Sequence, residues 1–170
     1  PANDRIAEVV EGIRGVLQRR EGNVLGRTEV YLDGRRGQVR TEETNLGNLT
    51  ADANLWYAKE FDSNAVISLK NGGGIRSAIG DSYVPAGSVD YEPELLPPPA
   101  IESVGKPQGG ISQFDIEGSL RFNNGLTLMT VTAAELYDIM EHAVAGTAEG
   151  ATPGQFPQVA GISFGYDPTG

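Results

Sequence analysis

The segment Asn71-Gly72-Gly73-Gly74-Ile75-Arg76 carries the most suggestive chemistry in the chain. Consecutive glycines turn sharply and let another group approach the backbone. Placed straight after a strand, such a loop presents N–H groups on which an anion can sit. Asn71 adds an amide, and Arg76 adds a planar fork of donors suited to phosphate or carboxylate. Taken alone, the three glycines read equally well as a plain turn beside a surface arginine. Two residues elsewhere extend the anion reading. Arg40 offers a second guanidinium, and Phe122 offers a flat face on which a base could stack, worth ~1–3 kcal/mol. The plainer reading of Phe122 is a core aromatic. If the three converge, Arg40 and Arg76 face one pocket, and Phe122 lies partly exposed on a loop towards the Gly-loop side.

Other nucleotide signatures fit less well. A P-loop needs Lys-Ser or Lys-Thr after its glycines, and none follows here. A dinucleotide fingerprint needs Gly-x-Gly-x-x-Gly opening a helix; Gly72 and Gly74 fit, but Ser77 stands at the third position. The chain has no cysteine and one histidine, His142. That excludes thiolate zinc sites and leaves few ligands for a two-metal centre. A net charge of −10 argues against duplex nucleic acid as a partner. An arginine site for a small anion is compatible with that balance, because local donors decide it. No apolar run approaches membrane-spanning length. The chain opens at Pro1 with no signal peptide, the mark of a processed or trimmed protein.

The elements that must position these groups follow from periodicity. Ile6, Val9, Val10, Ile13 and Leu17 recur at helical spacing over about residues 4–20, capped by Asn3 or Asp4. Residues 24–32 read as a strand, Asp33 to Gly37 as a turn, and Gln38-Val39-Arg40 as a short returning strand. A helix over about 46–60, capped by Asn45 or Thr44, sets Leu49, Ala53 and Trp56 on one face below Leu46. Asp52, beside that stripe, reads first as a buried hydrogen-bonding carboxylate and second as a ligand contact. The run 65–69 is the strand that delivers the Gly loop. Residues 80–118, rich in Pro and Gly, read as an irregular excursion ordered where it packs, with a short helix from Ser112 carrying Asp115 in its first turn. Leu126 to Val131 reads as a strand. Thr132-Ala133-Ala134-Glu135 is a capping box that opens a helix, with Leu136, Ile139, Met140 and Ala143 inward and His142 on the solvent side. Residues 155–166 alternate like a final strand.

At this point the residues carry a resemblance. The stretch from Arg40 to Ala53, with Glu43-Thr44-Asn45-Leu46-Gly47-Asn48-Leu49, resembles the opening signature of the 5′-nucleotidase C-terminal domain. Asn71 to Arg76 resembles that family's Gly-rich nucleotide-binding loop. Phe122-Asn123-Asn124, Thr132 to Leu136 with Glu141-His142, and Gly154 to Gly161 are similar to its following blocks, in family order.

The resemblance implies an α+β domain, a mixed sheet with flanking helices, that holds the nucleoside end of a substrate. Residues 1–22 would be a lead-in helix, and 23–170 the substrate-binding domain, interrupted by the excursion at about 80–118. Arg40, Asn71 and Arg76 match the family's polar substrate contacts, Gly73 and Gly74 belong to its loop, and Phe122 matches one of two aromatics that sandwich the base. The resemblance further implies a parent hydrolase of nucleotides and related phosphoesters, periplasmic or extracellular. Its divalent metal pair and catalytic His would sit in a separate N-terminal metallophosphatase domain, leaving this chain without cofactor or catalytic residues. Three departures stand out. Arg121 replaces the usual Pro before the stacking Phe, and the excursion is longer than in common members. The family's later block, an aromatic followed by Gly-Gly-Asp, would fall beyond Gly170, making the domain C-terminally incomplete. The rival expectations are a non-catalytic nucleotide or anion-binding module and a Rossmann-type dinucleotide domain.

Overall fold

The computed structural model describes residues 4–87 and 92–167. In chain order its elements are α1 (Asp4–Gly22), β1 (Val24–Arg27), α2 (Asn45–Lys59), β2 (Ser68–Asn71), β3 (Asp81–Tyr83), β4 (Glu94–Leu96), β5 (Gly110–Ser112), α3 (Gln113–Ser119), α4 (Ala133–Val144) and β6 (Pro157–Ala160). The class is α+β, as read from the sequence. Among the described residues the strands pair as three two-stranded sheets, β1–β5, β2–β6 and β3–β4, each antiparallel. The chain divides into two compact units, Pro1–Leu32 with Ile79–Gly118, and Asp33–Ala78 with Ser119–Gly170.

The first unit is held by backbone pairing and one buried cation. The expected strand over 24–32 stops at Arg27, where β1 loses β5 as its partner; Leu32 rejoins a ladder only through a bridge to Ile79. Thr28 N–H donates to Gly109 O at 2.9 Å, and Gly109 has φ +73°. A Cβ there would lie 2.3 Å from Thr28 O, so only glycine fits. Lys106, 4% exposed, donates to Glu21 at 2.9 Å and to Asp115 at 2.7 Å. Burial opposes its charge, but hydrogen bonds to Asp115 and Glu21 outweigh burial and raise its pKa above the ordinary lysine value. Ser112 and Asp115 cap α3 reciprocally, through Ser112 N–H to the carboxylate at 2.8 Å and Asp115 N–H to Ser112 Oγ at 3.1 Å. The Pro- and Gly-rich excursion thus holds more regular structure than its composition suggests, because β5, Lys106 and the fully buried Pro98 all pack. Along α1, Ile6, Val9, Val10 and Ile13 all lie exposed.

In the second unit α2 lies on the β2–β6 pair, whose register runs from Ser68↔Ala160 to Asn71↔Pro157. Thr44 caps the helix, its Oγ accepting from Gly47 N–H at 3.0 Å. The buried side of α2 is not the expected one. Leu46, Gly47, Thr50, Ala51, Leu55 and Ala58 face inward, whereas Leu49 and Trp56 are 49% and 67% exposed. The cause is close approach: a Cβ on Gly47 would sit 1.9 Å from Gln158 Oε1. Small residues at 47, 50 and 51 let β6 reach the helix backbone, and that contact outweighs the larger stripe. Asp52 is exposed as a result, not buried.

Four strand expectations in this unit change, the first being that the strand expected over 65–69 runs over Ser68–Asn71, where it pairs with β6. Gln38–Arg40 is a 3-10 turn, since Thr41 and Glu42 both donate to Gln38 O, at 3.1 and 2.9 Å. Residues 126–131 form no strand, having no ladder partner among the described residues. The last strand ends at Ala160, where Gly161 turns with φ +75° against Val66 O. The capping box on α4 forms as expected, with Thr132 Oγ accepting from Glu135 N–H and the Glu135 carboxylate accepting from Thr132 N–H at 2.7 Å. Leu136, Ile139, Met140 and Ala143 line the inward side only in part, and His142 is exposed.

Candidate functional site

The Gly loop is a 3-10 turn over Gly72–Gly74, and all three glycines are buried. None has positive φ. They are glycine because other backbone runs through the space of their side chains. A Cβ on Gly72 would lie 1.7 Å from Val39 O, and one on Gly73 would lie 2.7 Å from Gly154 O. The N–H groups are also spent: Gly72 donates to Phe156 O at 2.7 Å and Gly73 to Gly154 O at 2.9 Å. The expected cradle of exposed N–H groups therefore does not form from Gly72 and Gly73. At these two positions the loop is a scaffold.

Arg76, Phe122 and Asn71 gather at one corner of the second unit. Arg76 N–H donates to Ser119 O at 2.9 Å, which ties the end of the Gly loop to the segment that carries Phe122. Arg76 Nη1 donates to Gly73 O at 3.2 Å, and its guanidinium carbon lies 5.5 Å from the centroid of the Phe122 ring. Phe122 is 54% exposed, on the loop after α3, so the core reading does not hold. Asn71 is exposed and donates through Nδ2 to Gly154 O at 3.4 Å.

Arg40 differs from these in being buried, at 8% exposed. Its Nη1 donates to Thr152 O at 3.2 Å, while its Nε is enclosed without a partner. Burial, then the positive charge of Arg36, then that of Arg76, lower its pKa. Arginine nonetheless stays cationic in proteins. A buried cation among like charges, with a donor unspent, is relieved by an anion. Arg76 is thus close enough for its charge to act on Arg40.

Sequence reasoning missed three contributors. The carbonyls of Thr152 and Gly154 orient Arg40, Asn71 and Gly73; the only signal was the Gly154 to Gly161 block. Gln158, 1% exposed, donates from Nε2 to Val39 O at 3.1 Å and to Glu42 O at 2.8 Å, and accepts from Thr44 N–H at 3.3 Å. It fixes the segment that carries Arg40, and a lone Gln in a strand gives little warning of this. Among the described residues no group of three or more His, Cys, Asp or Glu is placed to hold a metal ion. Nor does the Gly loop open a helix between parallel strands, as a dinucleotide fold requires.

Comparison with known proteins shows what the chain as a whole is similar to. The family described as 5′-nucleotidase, C-terminal domain, matches residues 24–93 and 96–170. The trifunctional nucleotide phosphoesterase protein YfkN of Bacillus subtilis (strain 168) is 30% identical over 164 residues, covering 96% of this chain and 9% of YfkN. A snake venom 5′-nucleotidase of Naja atra is 31% identical over 156 residues, covering 89% of this chain and 25% of the venom protein. The crystal structure of the 5′-nucleotidase precursor from Thermus thermophilus superposes with a TM-score of 0.66 at 27% identity, covering 91% of this chain and 24% of that one. This chain therefore spans a quarter or less of each of these three proteins.

Proposed function

The chain belongs to the 5′-nucleotidase C-terminal domain family, and we propose that it is the nucleotide-recognition part of a larger phosphoester hydrolase. The observation that carries this reading is the corner where Arg40, Arg76 and Phe122 meet around a buried glycine scaffold. A nucleotide has the matching chemistry. Its phosphate answers the positive charge of Arg40 and the exposed fork of Arg76. Its base stacks on the exposed Phe122 ring. Asn71 is a polar contact at the loop's start, and Gly73 and Gly74 keep the loop close enough for the arginines to converge.

Hydrolysis is assigned to a separate metallophosphatase domain. There a metal pair would activate water and stabilise the phosphoryl oxygens. The described residues of this chain do not supply such a centre, and His142 lies exposed on α4. A periplasmic or extracellular location is supported by the venom relative. No helix among the described residues is long and apolar enough to cross a membrane.

A thermal-shift series with AMP, ADP, UDP-glucose and NAD tests the recognition role, since a ligand stabilises by mass action. AMP and ADP should raise Tm. A response to NAD alone would overturn the reading in favour of a dinucleotide domain. Adding Mn²⁺, Co²⁺ or Zn²⁺ and following phosphate release from AMP tests the division of labour. Metal-dependent turnover by the purified chain, lost in His142→Ala, would contradict it.

A further inference from the structure

Helix α1 is 19 residues long, about 28 Å at the helical rise per residue. None of its residues is buried. Ile6, Val9, Val10 and Ile13 recur at helical spacing and still lie exposed, so burial of an apolar face does not fix the first turns. The anchoring contacts lie in the last turn. The backbone of Gly22 abuts Val104, where a Cβ would come 2.8 Å from Val104 O. Arg20 pairs with Glu117 on α3, both side chains being exposed. Glu21 reaches further in. Its carboxylate accepts from Lys106 Nζ at 2.9 Å and from Ser112 Oγ at 2.8 Å. Lys106 in turn donates to Asp115 at 2.7 Å. At 4% exposed, its charge must be answered by carboxylates in good geometry.

The two carboxylates have different owners. Asp115 accepts from Ser112 N–H at 2.8 Å in the cap of α3, so it belongs to the body of the unit. Glu21 belongs to α1, which precedes the family match beginning at residue 24. Lys106, Ser112 and Asp115 all lie within that match. We propose that Lys106 is a clasp that fixes the direction of α1: it grips Glu21 in the last turn of the helix and Asp115 in the body, and so sets the angle at which the lead-in helix leaves the domain. The helix is a long arm held at one end, so a small change of angle at Glu21 becomes a large displacement at Asp4. The clasp stands whether or not the domain recognises a nucleotide.

The chain contains no cysteine, so two introduced ones accept spin labels without background. Val9→Cys on α1 and Ser82→Cys on β3, both exposed positions, report the angle through the distance between the labels. The doubly labelled chain should give one narrow distance distribution. Glu21→Gln, which leaves Lys106 paired with Asp115, should roughly double its width, because the buried grip on the helix is gone. Lys106→Met should broaden it as much. Arg20→Gln should broaden it less, since exposed ion pairs hold weakly. Glu11→Gln, whose partner Arg14 lies on the same helix, should leave it unchanged. Amide protection of β1 and β5 is followed alongside and should persist in Glu21→Gln. A narrow distribution that survives both Glu21→Gln and Lys106→Met would overturn the proposal, as would a broad one before either substitution. So would loss of β1 and β5 protection in Glu21→Gln, which would make Glu21 part of the scaffold of the body and not a grip on the helix.

Discussion

The two ends of the Gly-rich loop are built on opposite plans. At Gly72 and Gly73 the backbone is buried, its donors are taken by Phe156 and Gly154, and there is no room for a methyl group. A few residues on, Arg76 is exposed, as is Phe122, and the guanidinium lies over the ring at 5.5 Å. Cation–π contacts at exposed sites are worth only ~0.5–1 kcal/mol. The first end is rigid and committed; the second is weakly held and available. Arg40 stands between them, buried like the scaffold yet with a donor unspent like the exposed pair. The difference teaches that Gly72 and Gly73 spend their donors and their space on bringing backbone segments together, while the side chains of Arg76 and Phe122 stay exposed at the rim.

Substitutions should therefore separate stability from binding. The largest effect is expected from Gly72→Ala, whose methyl would meet Val39 O at 1.7 Å. Backbone must move to admit it, and destabilisation of ~3 kcal/mol or more should appear in urea unfolding. Gln158→Leu comes next. It leaves Val39 O, Glu42 O and Thr44 N–H without their partner, and a cost of ~2–3 kcal/mol follows from the stranded groups. Both variants should lower stability more than they weaken nucleotide binding.

Arg40→Leu should act the other way. Loss of charge-assisted hydrogen bonds to an anion costs ~1.5–3 kcal/mol in phosphate affinity, read by calorimetric titration. Stability should change less, because removal of a buried cation relieves repulsion with Arg36 and Arg76. A large fall in Tm would move Arg40 wholly into the scaffold. The smallest effect lies away from both regions. Hydrogen bonds from Thr132, first from its N–H and then from its hydroxyl, depress the pKa of Glu135. A depressed carboxylate stabilises the fold above its unfolded pKa and loses that contribution as pH falls through the folded value. Amide protection in the first turn of α4 should thus decline on acidification below the usual glutamate range. The Gly loop, held by backbone carbonyls, should keep its protection.

Local signals were legible in the sequence. The Thr132 capping box, the Thr44 cap and the Ser112 start of α3 were readable because each depends on residues within a turn of one another. The site residues were readable as types: two arginines, an amide and an aromatic near a glycine run. Their roles in the fold were not. Gly72 needs its size because Val39 passes it, and Gly47 because Gln158 does, and these neighbours are distant in sequence. The same non-local contact rotated α2 so that Trp56 faces outward instead of inward. The expected strand at 126–131 failed for a related reason, since alternation records a face and not a partner.

As a ligand platform, Phe122 should matter for binding and not for the scaffold. Titrating AMP into the wild-type chain and into Phe122→Ala, with Tm recorded for both, tests this most directly. The predicted result is a loss of ~1–3 kcal/mol in AMP affinity with Tm unchanged. Equal AMP affinity in the two proteins, or a fall in Tm comparable to that of Gly72→Ala, would contradict it.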